Sequence, residues 1–176
     1  MRRISVAVLV AAVLVGGLAG ARANAQMRRA ARSAPAIRPA PAALDAVTRA
    51  ALLTALDEER KAHYAYGVVL AQYGAVVPFS TIVQAEATHV QAICDLMTRY
   101  AVPIPPDPWG VAPYVIAAPP TLADAYVLGI NVEKEDIDLY SRLIPTVSLR
   151  DVVNVFTNLQ AASRNHLAAF TRAASR

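Results

Sequence analysis

A chain of 176 residues is long enough for one domain with a substantial apolar core. Its formal charge of +4 arises before residue 44, where seven arginines and no acids lie; residues 44–176 carry 10 basic and 13 acidic side chains, a net of −3, which excludes a basic nucleic-acid face on the domain. The single cysteine, Cys94, excludes an internal disulfide, so the domain must be held by its core or by a metal.

The chain opens with the layout of a secretory signal peptide: Arg2-Arg3, an apolar run from Ile4 to Ala19, and the small-residue site Ala23-Asn24-Ala25 ahead of Gln26. Residues 1–25 are therefore expected to be removed on export to the periplasm or beyond, leaving no stable membrane span. Residues 26–43 are rich in Ala, Pro and Arg, with prolines at 35, 39 and 41 that forbid a continuous helix, and read as a flexible linker. The domain proper is residues 44–176.

Apolar periodicity predicts four helices. The first runs from Asp45, as N-cap, to Gln72 and ends at Tyr73-Gly74. The second runs from Ser80 to about Tyr100, stopped by Pro103. The third starts at Thr121, behind Pro119-Pro120, and ends near Ile144, before Pro145; the fourth starts at Ser148, with Asp151 as a near capping box, and runs into the C-terminal region. Residues 111–117, VAPYVIA, are β-like but broken by Pro113 and have no partner strand.

About seven residues join the first two helices and about three join the last two, and links this short make antiparallel neighbours. Between the second and third lie about 20 residues, Ala101 to Pro120. At roughly 3.3 Å per residue they reach about 60 Å, twice the length of a 20-residue helix. The expected fold is an all-α, ferritin-like four-helix bundle: two antiparallel hairpins joined by a long crossover between helices 2 and 3. A plain up-down bundle with a slack loop is the alternative.

Steps of three and four residues trace one inward stripe on each helix. The first gives Leu52, Leu56, Glu59, His63, Tyr66 and Leu70; the second Ile82, Glu86, His89, Ile93, Leu96 and Tyr100. The third gives Leu122, Tyr126, Glu133, Ile137, Tyr140 and Ile144; the fourth Val152, Val155 or Phe156, Leu159, Ser163, His166 and Phe170. Each stripe is apolar at its ends and polar in its middle. A buried, unpartnered carboxylate costs several kcal/mol. Arg60, Lys61, Lys134 and Arg164 fall on other faces and cannot neutralise the three glutamates.

A bound metal supplies the missing charge. Glu86 and His89 are one turn apart and can face one ion, and carboxylates with imidazoles suit iron, manganese or zinc. Glu-x-x-His alone is weak, since a single such residue on a helix is more often solvated or hydrogen-bonded structure; the agreement of four helices carries the reading. Cys94 lies well round the helix from His89 and reads as a packed thiol. Tyr66 and Tyr126 are each seven residues from a candidate ligand, Glu59 and Glu133, and read as core residues able to line the site. The competing reading is a metal-free bundle whose carboxylates and histidines satisfy one another and which serves as an interaction module in the cell envelope.

LDEERKAHYAY (56–66), PFSTIVQAEATHVQAI (78–93), VEKEDIDLY (132–140) and NLQAASRNHLAAF (158–170) together resemble a bacterial domain-of-unknown-function family of ferritin-like proteins, related in fold to rubrerythrins. The resemblance spans roughly residues 50–174. It implies a carboxylate–histidine site in which Glu59 and Glu133 are the single glutamates, Glu86 and His89 one Glu-x-x-His pair, and His166 the second histidine. The glutamate of the second pair is replaced by Ser163, and Asp136 or His63, each one turn from a ligand, could compensate. One or two ions, iron in the first place, and a reaction with peroxide or dioxygen or the oxidation of iron are what the resemblance implies. A homodimer is compatible with it.

Overall fold

The computed structural model describes residues 44–176; the leader, its cleavage site and the linker lie outside the described residues. Four helices form: α1 (Ala46–Tyr73), α2 (Phe79–Arg99), α3 (Leu122–Leu143) and α4 (Arg150–Ala174), with a 3-10 turn (Ile144–Thr146) after α3. No strand occurs among the described residues, and the VAPYVIA segment runs through turns.

The helix ends follow the cap chemistry in three places and depart from it in two. Asp45 accepts the Thr48 amide at 2.7 Å and starts α1. Gly74, at φ 74°, ends it in a left-handed conformation natural to glycine, its amide reaching the Leu70 carbonyl. Thr121 accepts the Asp124 amide at 3.1 Å and starts α3. Ser148, by contrast, does not cap α4. The 3-10 turn around Pro145 carries the chain further, and Leu149 stands at the N-cap with no side-chain bond. Asp151 instead accepts from Tyr100 at 2.8 Å and from Arg99 at 2.7 Å, pinning the first turn of α4 to the end of α2. Pro78, not Ser80, precedes α2, and likewise offers no side-chain cap.

Two separate apolar clusters define the topology. One joins Leu52 and Leu56 near the start of α1, Leu96 and Met97 at the end of α2, Tyr140 at the end of α3, and Val152 and Phe156 at the start of α4. The other joins Tyr66 and Val69 late in α1, Phe79 and Ile82 at the start of α2, Ala125 early in α3, and Phe170 late in α4. Helix α1 is therefore antiparallel to α2 and α3, α4 is antiparallel to both of those, and α2 and α3 run the same way. That is possible only because the connection from α2 to α3 travels the length of the bundle, as its length predicts.

The crossover is tied down along α1. Arg60 donates to the carbonyls of Pro105 at 3.0 Å and Pro106 at 3.3 Å, the Trp109 indole to Asp57 at 3.2 Å, and Tyr73 to the Pro119 carbonyl at 2.6 Å. From Pro105, Pro106 and Trp109 beside Asp57 and Arg60 to Pro119 beside Tyr73, the crossover lies along α1 and runs in its direction.

Candidate metal centre

Between the two apolar clusters lies a polar layer. Glu59, Glu86, Glu133 and Asp136 are all buried there, one carboxylate from α1, one from α2 and two from α3. His89 and His166 close the layer from α2 and α4, their rings nearly parallel at 18° with centroids 5.7 Å apart.

Glu86 stands at the centre. His89 Nδ1 is 2.8 Å from Glu86 Oε2 and 3.2 Å from Glu59 Oε2. His166 Nδ1 is 2.9 Å from the other Glu86 oxygen and 3.4 Å from Glu133 Oε1, close for charge but off the line for a hydrogen bond. Two triads result, Glu59–Glu86–His89 and Glu86–Glu133–His166, each with one donor atom per residue and all three within 4.8 Å of one another. They share Glu86 and use its two oxygens separately.

Two tyrosines fix the outer carboxylates. Tyr66 of α1 donates to Glu133 of α3 at 2.6 Å, and Tyr140 of α3 donates to Glu59 of α1 at 2.5 Å. The pattern is reciprocal: on each helix a tyrosine seven residues after the glutamate serves the glutamate of the other. The sequence assigned Tyr66 a place beside Glu59 and did not single out Tyr140. Seven residues along one helix is about 10.5 Å, too far for a hydrogen bond, whereas two antiparallel helices bring the crossed partners level.

Four further sequence candidates lie elsewhere or stand outside the triads. His63 is exposed on the far side of α1, beside Tyr64 and Trp109 of the crossover; Ala62 takes the inward position instead. Tyr126 stacks on Phe79 in the apolar end layer and donates to the Val77 carbonyl at 3.3 Å, away from Glu133. Ser163 is buried but bonds back to the Leu159 carbonyl at 3.2 Å. Asp136 is buried in the layer with both oxygens unpartnered and belongs to neither triad.

The electrostatics follow from four buried carboxylates with no buried lysine or arginine among the described residues. Burial pushes Glu59 up to about 7, with the charge of Glu86 adding and His89 opposing. Burial, then Glu59 and Glu133, raises Asp136 well above the usual carboxylate range. Burial also raises Glu133 against the pull of His166 and Tyr66. Burial would raise Glu86 too, but His166 and His89 outweigh it and hold Glu86 down to about 2. Conversely, burial would lower both imidazoles, and their carboxylate neighbours instead raise His89 to about 10 and His166 to about 9.

These shifts set the pH response of the chelated protein. His89, His166 and Glu59 all hold a proton more tightly folded than unfolded, so each contributes stability at low pH that is lost as pH rises towards its folded pKa. Glu86 acts oppositely, but only below about pH 4.5. The thermal midpoint in excess chelator should therefore fall between pH 5 and pH 9; a midpoint that rises across that range would contradict this charge assignment.

A metal fits the donor set. Glu86 Oε1, Glu133 Oε2, both Asp136 oxygens and His166 Nδ1 are buried without a hydrogen-bond partner, and each can give a lone pair once a metal displaces any proton it holds. Four carboxylates also balance two divalent cations.

Residues 114–176 match the domain family described as uncharacterized protein domain DUF2202; the match takes in Glu133, Asp136, Ser163 and His166 but not Glu59, Glu86 or His89. The chain is similar to the uncharacterized protein MJ0754 of Methanocaldococcus jannaschii, 28% identical over 133 residues covering 69% of this chain and 71% of that protein. The crystal structure of hypothetical protein MJ0754 from Methanococcus jannaschii shares its fold at a TM-score of 0.65 and 23% identity, over 81% of this chain and 86% of the other. The crystal structure of a conserved hypothetical protein, rv2844, from Mycobacterium tuberculosis does so at a TM-score of 0.63 and 18% identity, over 74% of this chain and 99% of the other. At these identities the two crystal structures establish a shared bundle.

Proposed function

We propose that this is an exported four-helix protein that binds two divalent metal ions, iron ahead of manganese and zinc, in the polar layer between its apolar ends. The observation that carries the reading is the shared ligand: Glu86 offers one oxygen to each of two triads. Glu59 and His89 would complete one position, Glu133 and His166 the other. An oxygen-rich set with two imidazoles and no thiolate favours iron or manganese, whereas zinc more commonly settles in a closed four-coordinate site.

Two ferrous ions held there would supply two electrons, which with two protons take hydrogen peroxide to two waters. The protein's own contribution is to hold the five ligands in one dry layer. Tyr66 and Tyr140 orient the outer carboxylates, and the apolar layers above and below exclude water. Export rests on the leader sequence.

The contrary reading, a metal-free interaction bundle, draws on the histidine–carboxylate contacts, which pair charge without an ion. Elemental analysis separates the two. Protein purified from the periplasm or medium, beginning at Gln26 and reconstituted anaerobically with ferrous iron, should hold about two equivalents. Less than about a tenth of an equivalent of iron, manganese and zinc, with no uptake on reconstitution, would leave only the interaction module.

A further inference from the structure

Asp136 poses a question the two triads do not answer. It is 1% exposed, both its oxygens lack any hydrogen-bond partner, and neither triad includes it. Glu59, Glu86 and Glu133 are buried in the same layer. The neighbours of Asp136 on α3, Glu135 one residue before and Leu139 one turn after, line a surface depression of about 240 Å³ over the seam between α1 and α3, together with Glu58, Lys61, Asp138 and Arg142. Asp136 thus lies beneath a mouth of three carboxylates and two cations, on the helix that also carries Glu133 into the layer.

We propose that cations reach the centre sideways through the α1–α3 seam, with Asp136 as the inner carboxylate that passes them from Glu58 and Glu135 at the surface to Glu59 and Glu133 within. This rests on the proposed metal centre and adds a path and a gate to it. The ends of the bundle offer no comparable path, because each is filled by apolar side chains. A buried, unpartnered carboxylate partway along the route lowers the cost of stripping water from an ion before it meets its final ligands. The gate is Lys61, whose ammonium contacts Glu58 on its own helix and Glu135 across the seam at 2.8 Å. It spans the mouth as a tethered cation that an incoming ion must displace.

The test is the rate of anaerobic ferrous uptake by the full-length protein, sampled by rapid mixing and quenched with a strong ferrous chelator, alongside the final iron content. Asp136→Asn keeps the side chain's shape and removes the carboxyl group that can give up its proton to an arriving cation. It should slow uptake at least about tenfold while reaching the native content. Lys61→Met should speed uptake several-fold at low salt, with the advantage shrinking as salt screens the mouth. Native-rate uptake by Asp136→Asn would overturn the path, as would a lower final content, which would make Asp136 a resident ligand. Should Asp136→Asn not fold, the Lys61→Met arm decides alone: an unchanged or slower rate removes the gate and the path with it. Failure of the native protein to take up iron at all is a different result and strikes the metal centre itself.

Discussion

Glu86→Gln is expected to empty both metal positions at once, lowering bound iron from about two equivalents to below about 0.2. The amide keeps the length of the side chain but removes the negative charge that each ion shares, and Glu86 is the only residue common to the two triads. His166→Ala, which touches one position, should retain roughly one equivalent. Cys94→Ala should be native in content, since that thiol packs against the apolar cluster below the layer. Without metal, the larger change Glu86→Ala removes the acceptor that holds two raised histidines and should destabilise the bundle by about 3–5 kcal/mol. Metal content and chemical denaturation of the four variants check this together. One equivalent retained in Glu86→Gln would mean that the positions do not share a ligand.

Gly129→Ala should destabilise the protein by about 1–3 kcal/mol, although alanine is ordinarily the better helix former by about 1 kcal/mol. A methyl group there would lie 2.7 Å from two ring carbons of Phe170 and 2.9 Å from a third. The ring has nowhere to go. It is fully buried, with centroids 4.7 Å from Phe79 and 5.3 Å from Tyr66, and Phe79 is in turn stacked on Tyr126. Phe170→Ala should cost about 3–5 kcal/mol through the cavity it leaves. The double variant should be less destabilised than the two losses combined, because the new methyl partly fills the space the ring vacates. Urea midpoints at constant m-value give the cycle, and strict additivity would show that the two residues do not press on each other. Since Tyr66 packs on Phe170 and orients Glu133, this end layer also steadies the centre.

Much of the bundle is legible from local chemistry. Asp45, Gly74 and Thr121 announce their helix ends, and the length of the Ala101–Pro120 segment announces the crossover. Glu59, Glu86, His89, Glu133 and His166 stand out because charge at mid-stripe is conspicuous, and the structure gathers all five. What is hidden follows from ambiguity in helical stepping and from pairing between helices. A stripe can advance from Glu59 by three or by four residues. The four-step choice reaches His63, which is exposed, while the three-step choice reaches Ala62, an inward residue too plain to notice. Tyr140 looks like an ordinary core aromatic until the antiparallel pairing of α1 and α3 brings it to Glu59. The repeated Glu-x6-Tyr spacing in both helices was the available signal. Ser148 fails as a cap because the chain around Pro145 tightens into a 3-10 turn, which no cap rule foresees.

The crossover bound along α1 bears on timescale. Its anchors at Asp57, Arg60 and Tyr73 strap the outer flank of the helix that lends Glu59 and Tyr66 to the interior. A helix braced on that flank resists the slow collective swings that take microseconds to milliseconds, while its side chains still change rotamer in picoseconds to nanoseconds. Rearrangement inside the polar layer then keeps the clock of its side chains, with the backbone as a fixed frame.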